Sequence, residues 1–232
     1  MRELAPGLWQ LRGFPPHAIN VYLAGNVLID AGARWSRGRI MKQLAGRSIS
    51  MVALTHCHPD HQGAAHALCE RFQVPLACHA ADRPAMDGSG PMLPDSPMMQ
   101  LSMRLFAGPP HRVDRLLGEG DEVAGFRVIH APGHTPGHVI FFRESDRVAI
   151  AGDVLNGMNL LTTMPGLHEP PWFFSADPAE NRRSIRRLAD LRPALVCFGH
   201  GPPWRDLATL QEFVDRLEAS AATVQPGLSS TT

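Results

Sequence analysis

The chemistry in this chain concentrates at Thr55-His56-Cys57-His58-Pro59-Asp60-His61. Three imidazoles and a carboxylate fall within six consecutive positions, directly after the apolar run Ile49-Ser50-Met51-Val52-Ala53-Leu54. Imidazole nitrogens and carboxylate oxygens are the usual ligands of borderline divalent ions such as zinc. Residues two apart in an extended segment face the same side, which aligns His56 with His58. Asp60 and His61 follow where the chain turns into a helix, so they address a second point nearby. One stretch can therefore serve two ions.

Other elements must bring further ligands to that point. Gly7 to Arg12 alternates like a strand, and His17 to Ala24 and Val27 to Ala31 read as two strands joined at Gly25-Asn26. A short helix over Ser36 to Leu44 precedes the apolar strand that delivers His56. Ala64, Ala65, Leu68 and Phe72 predict a helix over Asp60 to Phe72. Further strands are expected over Pro75 to Cys78, Asp121 to Ala131, Gly137 to Phe142, Arg147 to Ala151 and Ala194 to Phe198. Asp177-Pro178-Ala179-Glu180 opens a helix, with an N-cap Asp and Pro at the first position. Leu207, Leu210, Val214 and Leu217 form the stripe of a last helix. Val154 to Ala176 reads as irregular. The Met-rich segment from Asp82 to Pro110 reads as a helix and loop, or as an adaptable apolar wall beside the site. Where strands end, a His or Asp recurs: His134, Asp153 and His200, each flanked by glycine.

The 232 residues are 44% hydrophobic with zero formal net charge, which disfavours a nucleic-acid or membrane-surface binder. The start of the chain has no charged segment leading into an apolar one, and no apolar run reaches ~18 residues. A cytoplasmic protein is the expectation. Cys57, Cys69, Cys78 and Cys197 form no C-x-x-C pair and read as reduced thiols. One domain is expected over residues 1–222, with a flexible tail over 223–232.

His56-Cys57-His58-Pro59-Asp60-His61, His134 within Ala131 to His138, Ala151-Gly152-Asp153 and Phe198-Gly199-His200-Gly201 together resemble the metallo-β-lactamase superfamily, in particular its dinuclear hydrolases of the glyoxalase II and lactonase type. The likeness extends from about Leu8 to Val214. It implies an α/β fold, the αββα sandwich, with two mixed sheets packed face to face and helices on the outside. It also implies that His56, His58 and His134 hold one metal ion, that Asp60, His61 and His200 hold another, and that Asp153 bridges them. The two divalent ions would be zinc, with manganese or iron as alternatives. Relatives of the flavodiiron type carry Glu at the His58 position, which disfavours that redox role.

The expected activity is hydrolysis of a small acyl substrate, a thioester or lactone, by a hydroxide shared between the two ions, with Asp60 orienting or receiving a proton. The carboxylate at Asp153 disfavours a β-lactam substrate. The neutral charge disfavours phosphodiester or RNA substrates. A mononuclear iron persulfide dioxygenase and a binding protein without activity are the competing classes. The partner expected is a small-molecule substrate, with no nucleic acid or membrane, and a homodimer is compatible with the sequence. His130 and His138 are expected beside the ligands, not among them. Cys57 is expected to point away from the site. His17, His66, His79 and His111 read as ordinary histidines. Asn159 and His168 are candidate substrate contacts. Arg182, Arg183, Arg186 and Arg187 form a basic helix face, solvated or clamping an anion. Tyr22, the single tyrosine, is the one residue a tyrosine-assisted lactonase could use.

Overall fold

The structure, a computed structural model, describes residues 1–223. The expected tail over 223–232 lies, apart from Thr223, outside the described residues. The first sheet runs in chain order through β1 (Arg2–Ala5), β2 (Leu8–Gln10), β3 (Tyr22–Ala24), β4 (Val27–Ile29), β5 (Met51–Ala53), β6 (Leu76–His79) and β7 (Arg115–Leu117). Its first four strands are antiparallel, and β4 to β7 are parallel. Crossovers between the parallel strands carry α1 (Arg37–Gln43), α2 (Pro59–Gln62), α3 (Ala65–Phe72), α4 (Arg83–Asp87) and α5 (Pro97–Phe106).

The second sheet begins with β8 (Glu122–Val123), β9 (Phe126–His130), β10 (Val139–Arg143) and β11 (Val148–Gly152), all antiparallel. A separate two-stranded hairpin follows, β12 (Asn156–Met158) with β13 (Pro165–His168). Then come α6 (Pro178–Asp190), β14 (Leu195–Phe198) and α7 (Leu207–Thr223). β14 returns parallel to β11 at the sheet edge.

Alternation along the strands dictates the layering. In β10, Val139 and Phe141 enter the core between the sheets, while Ile140 and Phe142 face α6 and α7. In β4, Val27 and Ile29 enter that same inner core, and Leu28 faces the side where α1 and α3 pack with Ile40, Leu44 and Leu68. Strands covered on both faces read as unbroken apolar runs, because successive side chains point to opposite buried sides. Each fully buried Phe or Leu here contributes about 1.5–3 kcal/mol by leaving water. The result is the expected sandwich, with helices on both outer faces.

Several expected elements differ. The helix over Asp60 to Phe72 is two pieces, because the Ala64 amide donates to the Gly32 carbonyl and not to the preceding turn. The bare Gly63 also packs so tightly that a Cβ would lie 2.3 Å from the Phe106 carbonyl oxygen. The strand over His17 to Ala24 shortens to β3, since the Asn20 amide donates to the Gly199 carbonyl across the fold. Asp121 to Ala131 folds back on itself at Ala124-Gly125, where both residues have positive φ, the backbone of a tight hairpin. The irregular stretch after Asp153 contains the β12–β13 hairpin. No helix among the described residues is long and apolar enough to cross a membrane.

Candidate metal centre

The site forms at one end of the sandwich, where strands of both sheets stop. β5 leads into His56 and His58, and α2 carries Asp60 and His61. The β9–β10 connection supplies His134, β11 ends just before Asp153, and β14 ends two residues before His200. All seven groups converge. Ligand atoms of His56, His58 and His134 lie within 4.8 Å of one another, as do those of His56, His61 and Asp153, and those of Asp60, His61 and His200. Asp153 stands between the two halves. Its Oδ1 is 3.5 Å from His61 Nε2, and its Oδ2 is 3.0 Å from His200 Nε2 and 3.6 Å from His134 Nε2. The backbone is equally close. A Cβ on Gly199 would lie 2.0 Å from Asp153 Oδ1, so only glycine fits there.

Every imidazole of the set is held by one nitrogen, leaving the other for the centre. His61 Nδ1–H donates to Asp30 Oδ2 at 2.9 Å. His56 Nδ1–H donates to Thr55 Oγ1 at 3.0 Å, and Thr55 in turn donates its hydroxyl to Asp30 at 2.9 Å. His58 Nε2–H donates to the Leu93 carbonyl at 2.8 Å, His134 Nδ1 pairs with Ser175 Oγ at 3.2 Å, and His200 Nδ1–H donates to the Ala18 carbonyl. These partners fix the tautomers. The inward atoms His56 Nε2, His134 Nε2 and Asp153 Oδ1 are buried without a hydrogen-bond partner. Each such atom costs about 1–3 kcal/mol when left unsatisfied, and a cation among them would satisfy all three. The donor set fits divalent metal.

The electrostatics divide the site. Burial and the neighbouring imidazoles push His56 and His134 well below the ordinary range, so both rings are neutral. Burial lowers His58 as well. Burial also opposes a cation at His200, but Asp153 and Asp60 outweigh it and push the ring up to about 10. His61 is raised in the same way by Asp153, Asp30 and Asp60. Against their own burial, Asp60 and Asp153 are held low by His61 and His200.

His138 stacks on His56 with ring centroids 4.8 Å apart, but its Nε2 accepts the Asp153 backbone N–H at 3.0 Å. Burial drives it down to about 3. It supports the Asp153 backbone and has no lone pair left for a metal. His130 stacks on His79. Cys57 turns into the core beneath α3, and its backbone N–H donates to Asp82. Tyr22 is buried and donates its hydroxyl to the Phe198 carbonyl at 2.6 Å. The four arginines of α6 pair with Glu169, Glu180, Asp215, Glu218 and Glu119, so that face is an ion-pair network. Asn159 caps the hairpin turn, accepting from the Leu161 and Thr162 amides. His168 pairs with Asn156 in the small sheet.

A cavity of about 130 Å³ opens over the centre. His58, Pro59, Asp60, His134, Asp153 and His200 form its floor, and Met99, Phe106, Leu160 and Phe174, with one hydroxyl from Ser102, its walls. Met99 thus makes part of the Met-rich segment a wall of the site, while Met86 and Met92 are buried elsewhere.

Comparison with known proteins agrees with this geometry. The family model described as the metallo-beta-lactamase superfamily matches residues 14–200. This chain belongs to the metallo-beta-lactamase superfamily. Among superfamily members, it is 33% identical over 199 residues to the probable metallo-hydrolase YflN of Bacillus subtilis, covering 76% of this chain and 75% of that one. It is 31% identical over 170 residues to a hydroxyacylglutathione hydrolase of Cereibacter sphaeroides, covering 70% of this chain and 53% of that one. The solved structure of TTHA1623 in a di-iron-bound form superposes with a TM-score of 0.60 at 31% identity, covering 89% of this chain and 93% of that one. The chain is a metallo-hydrolase of this superfamily.

Two carboxylates escaped the sequence reading. Asp30 orients His61 directly and His56 through Thr55. Asp82 ties the site loops together by accepting from the Cys57 and Gly137 amides and the Thr135 hydroxyl. Asp30 carried one faint signal in the sequence, its place directly before Ala31-Gly32 where a strand closes; in the structure it adopts φ 62°.

Proposed function

We propose that this protein is a dinuclear hydrolase of small acyl substrates, thioesters or lactones, and that it acts in the cytoplasm. His56, His58 and His134 would hold one divalent ion, Asp60, His61 and His200 the other, and Asp153 both. The observation that carries this reading is the position of Asp153, with one oxygen toward His61 and the other toward His134 and His200. Five imidazoles and two carboxylates suit zinc, and iron or manganese are alternatives. Bound there, the ions would supply Lewis acidity and bring the pKa of water toward neutrality.

The chain's own residues account for the rest. Asp60 lies on the cavity floor, partly open, 3.3 Å from His200 Nε2. Held low by its histidine neighbours, it stays a carboxylate and orients the attacking water by accepting its hydrogen bond. The apolar walls exclude bulk water and favour an uncharged acyl group. Among the described residues no Lys or Arg lines the cavity, which argues against a phosphoester. In the reaction the water oxygen joins the acyl carbon, the C–S or ring C–O bond breaks, and the departing sulfur or oxygen takes the water's proton.

Elemental analysis is expected to find close to two metal ions per chain, with a sharp fall in His58→Ala. A screen of thioesters, lactones, β-lactams and phosphodiesters on metal-loaded protein is expected to give turnover on the first two. One iron per chain with oxygen uptake on a persulfide would overturn the hydrolase reading.

A further inference from the structure

We infer that the acyl group is a straight, uncharged hydrocarbon chain, which leaves the cavity between α5 and the β12–β13 hairpin and lies on the apolar rim exposed by the hairpin tip and the turn at Trp172. The inference rests on the hydrolase reading above. The cavity, about 130 Å³, is well below the ~300–1,000 Å³ typical of sites that enclose a whole small molecule. It encloses the reacting end alone, so the remainder of a larger substrate must lie outside.

What lies outside is apolar. Leu160 lines the cavity, and its neighbour Leu161 is 77% exposed, with Met164 across the same turn at 64%. Phe174 lines the cavity, and Trp172, in the same short helical turn, is 74% exposed. Met99, Ser102 and Phe106, at i, i+3 and i+7, line it from one face of α5. Single exposed apolar residues are ordinary, but a set on two neighbouring elements that border one cavity marks a binding surface. The hairpin tip is also built to present its side chains. Asn159 Oδ1 accepts from the Leu161 and Thr162 amides at 2.9 and 3.0 Å, and the Asn159 amide donates to the Met164 carbonyl at 2.9 Å. With its backbone satisfied, the tip holds Leu161 and Met164 out over the edge. Methionine adapts its shape to a flexible chain at little cost.

The test is a series of straight-chain acyl thioesters of N-acetylcysteamine from two to twelve carbons, assayed on the metal-loaded protein. A parallel set of non-hydrolysable S-alkyl thioethers measures binding alone. Expected is a rise in kcat/KM of about three- to fourfold per methylene until the rim is filled, with thioether affinity rising in step. In the Leu161→Asp/Met164→Asp double variant, whose sites are exposed and outside the core, the ratio of kcat/KM at ten carbons to that at four is expected to fall at least tenfold. Hydrolysis with no dependence on chain length, or an unchanged ratio in the variant, would overturn the inference and leave the hydrolase reading intact. Chain-length-dependent thioether binding without hydrolysis of any thioester or lactone would overturn the hydrolase reading and leave the apolar chain site standing.

Discussion

Asp30→Asn tests how this centre is preorganised. Asp30 is buried at the end of β4 and accepts three donors: the Thr55 amide at 2.8 Å, the Thr55 hydroxyl at 2.9 Å and His61 Nδ1–H at 2.9 Å. Asparagine is nearly isosteric and tolerates the positive φ of 62° at this position, so the backbone is not strained. Its Oδ1 can still accept the Thr55 amide. Its Nδ2, however, is a donor where the wild type has an acceptor. Two N–H groups then meet at His61, and the imidazole relieves this by moving its proton to Nε2, the nitrogen 3.5 Å from Asp153 Oδ1. That nitrogen can no longer ligate. His56 loses its orientation through the same change, because the Thr55 hydroxyl it leans on is no longer anchored to a carboxylate. Loss of one outer partner of this kind costs about 10–100-fold in metal affinity, and Asp30 serves two imidazoles. The upper end is therefore expected, about 100-fold or ~2.7 kcal/mol, with circular dichroism unchanged. Competition against a chromophoric chelator measures the affinity, and long-range ¹H–¹⁵N spectra of the metal-loaded protein, in which His61 has given up its second proton, read the His61 tautomer. Wild-type affinity with the His61 proton still on Nδ1 would refute the reasoning.

Further outcomes follow from the same geometry. Gly199→Ala forces a methyl to 2.0 Å from Asp153 Oδ1, and is expected to lose metal and about 1–3 kcal/mol of stability, read by elemental analysis and denaturant unfolding. Loading the metal-free protein at pH 7.5 is expected to release protons from His61 and His200, which on the proposed assignment must both be neutral to ligate. Apparent metal affinity then rises with pH toward about 10, and calorimetry in buffers of different ionisation enthalpy counts the protons; a count of zero would contradict the assignment. In the metal-free protein the sign is opposite: the stability from the raised His200 is fully present below the unfolded value near 6.5 and fades as pH rises toward about 10. Asp177→Ala removes the α6 N-cap, whose Oδ1 accepts the Glu180 amide at 2.9 Å, and is expected to cost about 1 kcal/mol in urea unfolding with kcat/KM unaltered.

Metal chemistry leaves a legible trace because few residue types can ligate, and a strand end must precede each one. That is why His56, His58, Asp60, His61, His134, Asp153 and His200 could be picked out and then found together in space. The sandwich was legible for a related reason: strands such as Val139 to Phe142, buried on both sides, read as unbroken apolar runs. Asp30 and Asp82 were not legible as site residues, since their roles arise from contacts with residues 25 to 55 positions away, and only the Ala31-Gly32 that follows Asp30 hinted at either. The β12–β13 hairpin was missed because its strands are short and broken by glycine and proline, so no alternation develops. The split between α2 and α3 depends on one long-range hydrogen bond, from Ala64 to Gly32, which periodicity does not record.

The candidate centre gathers its histidines and carboxylates from both layers of the sandwich. Residues 56–61 follow a strand of the first sheet, and His134, Asp153 and His200 follow strands of the second. On the proposed assignment, each ion takes ligands from both sheets, so neither can be held by a chain in which only one layer has formed. The ions then act as rivets through the seam, and sliding the layers by a residue would tear out ligands on one side. Metal availability would in that case set how long the two halves stay in register, as well as whether the protein can turn over its substrate.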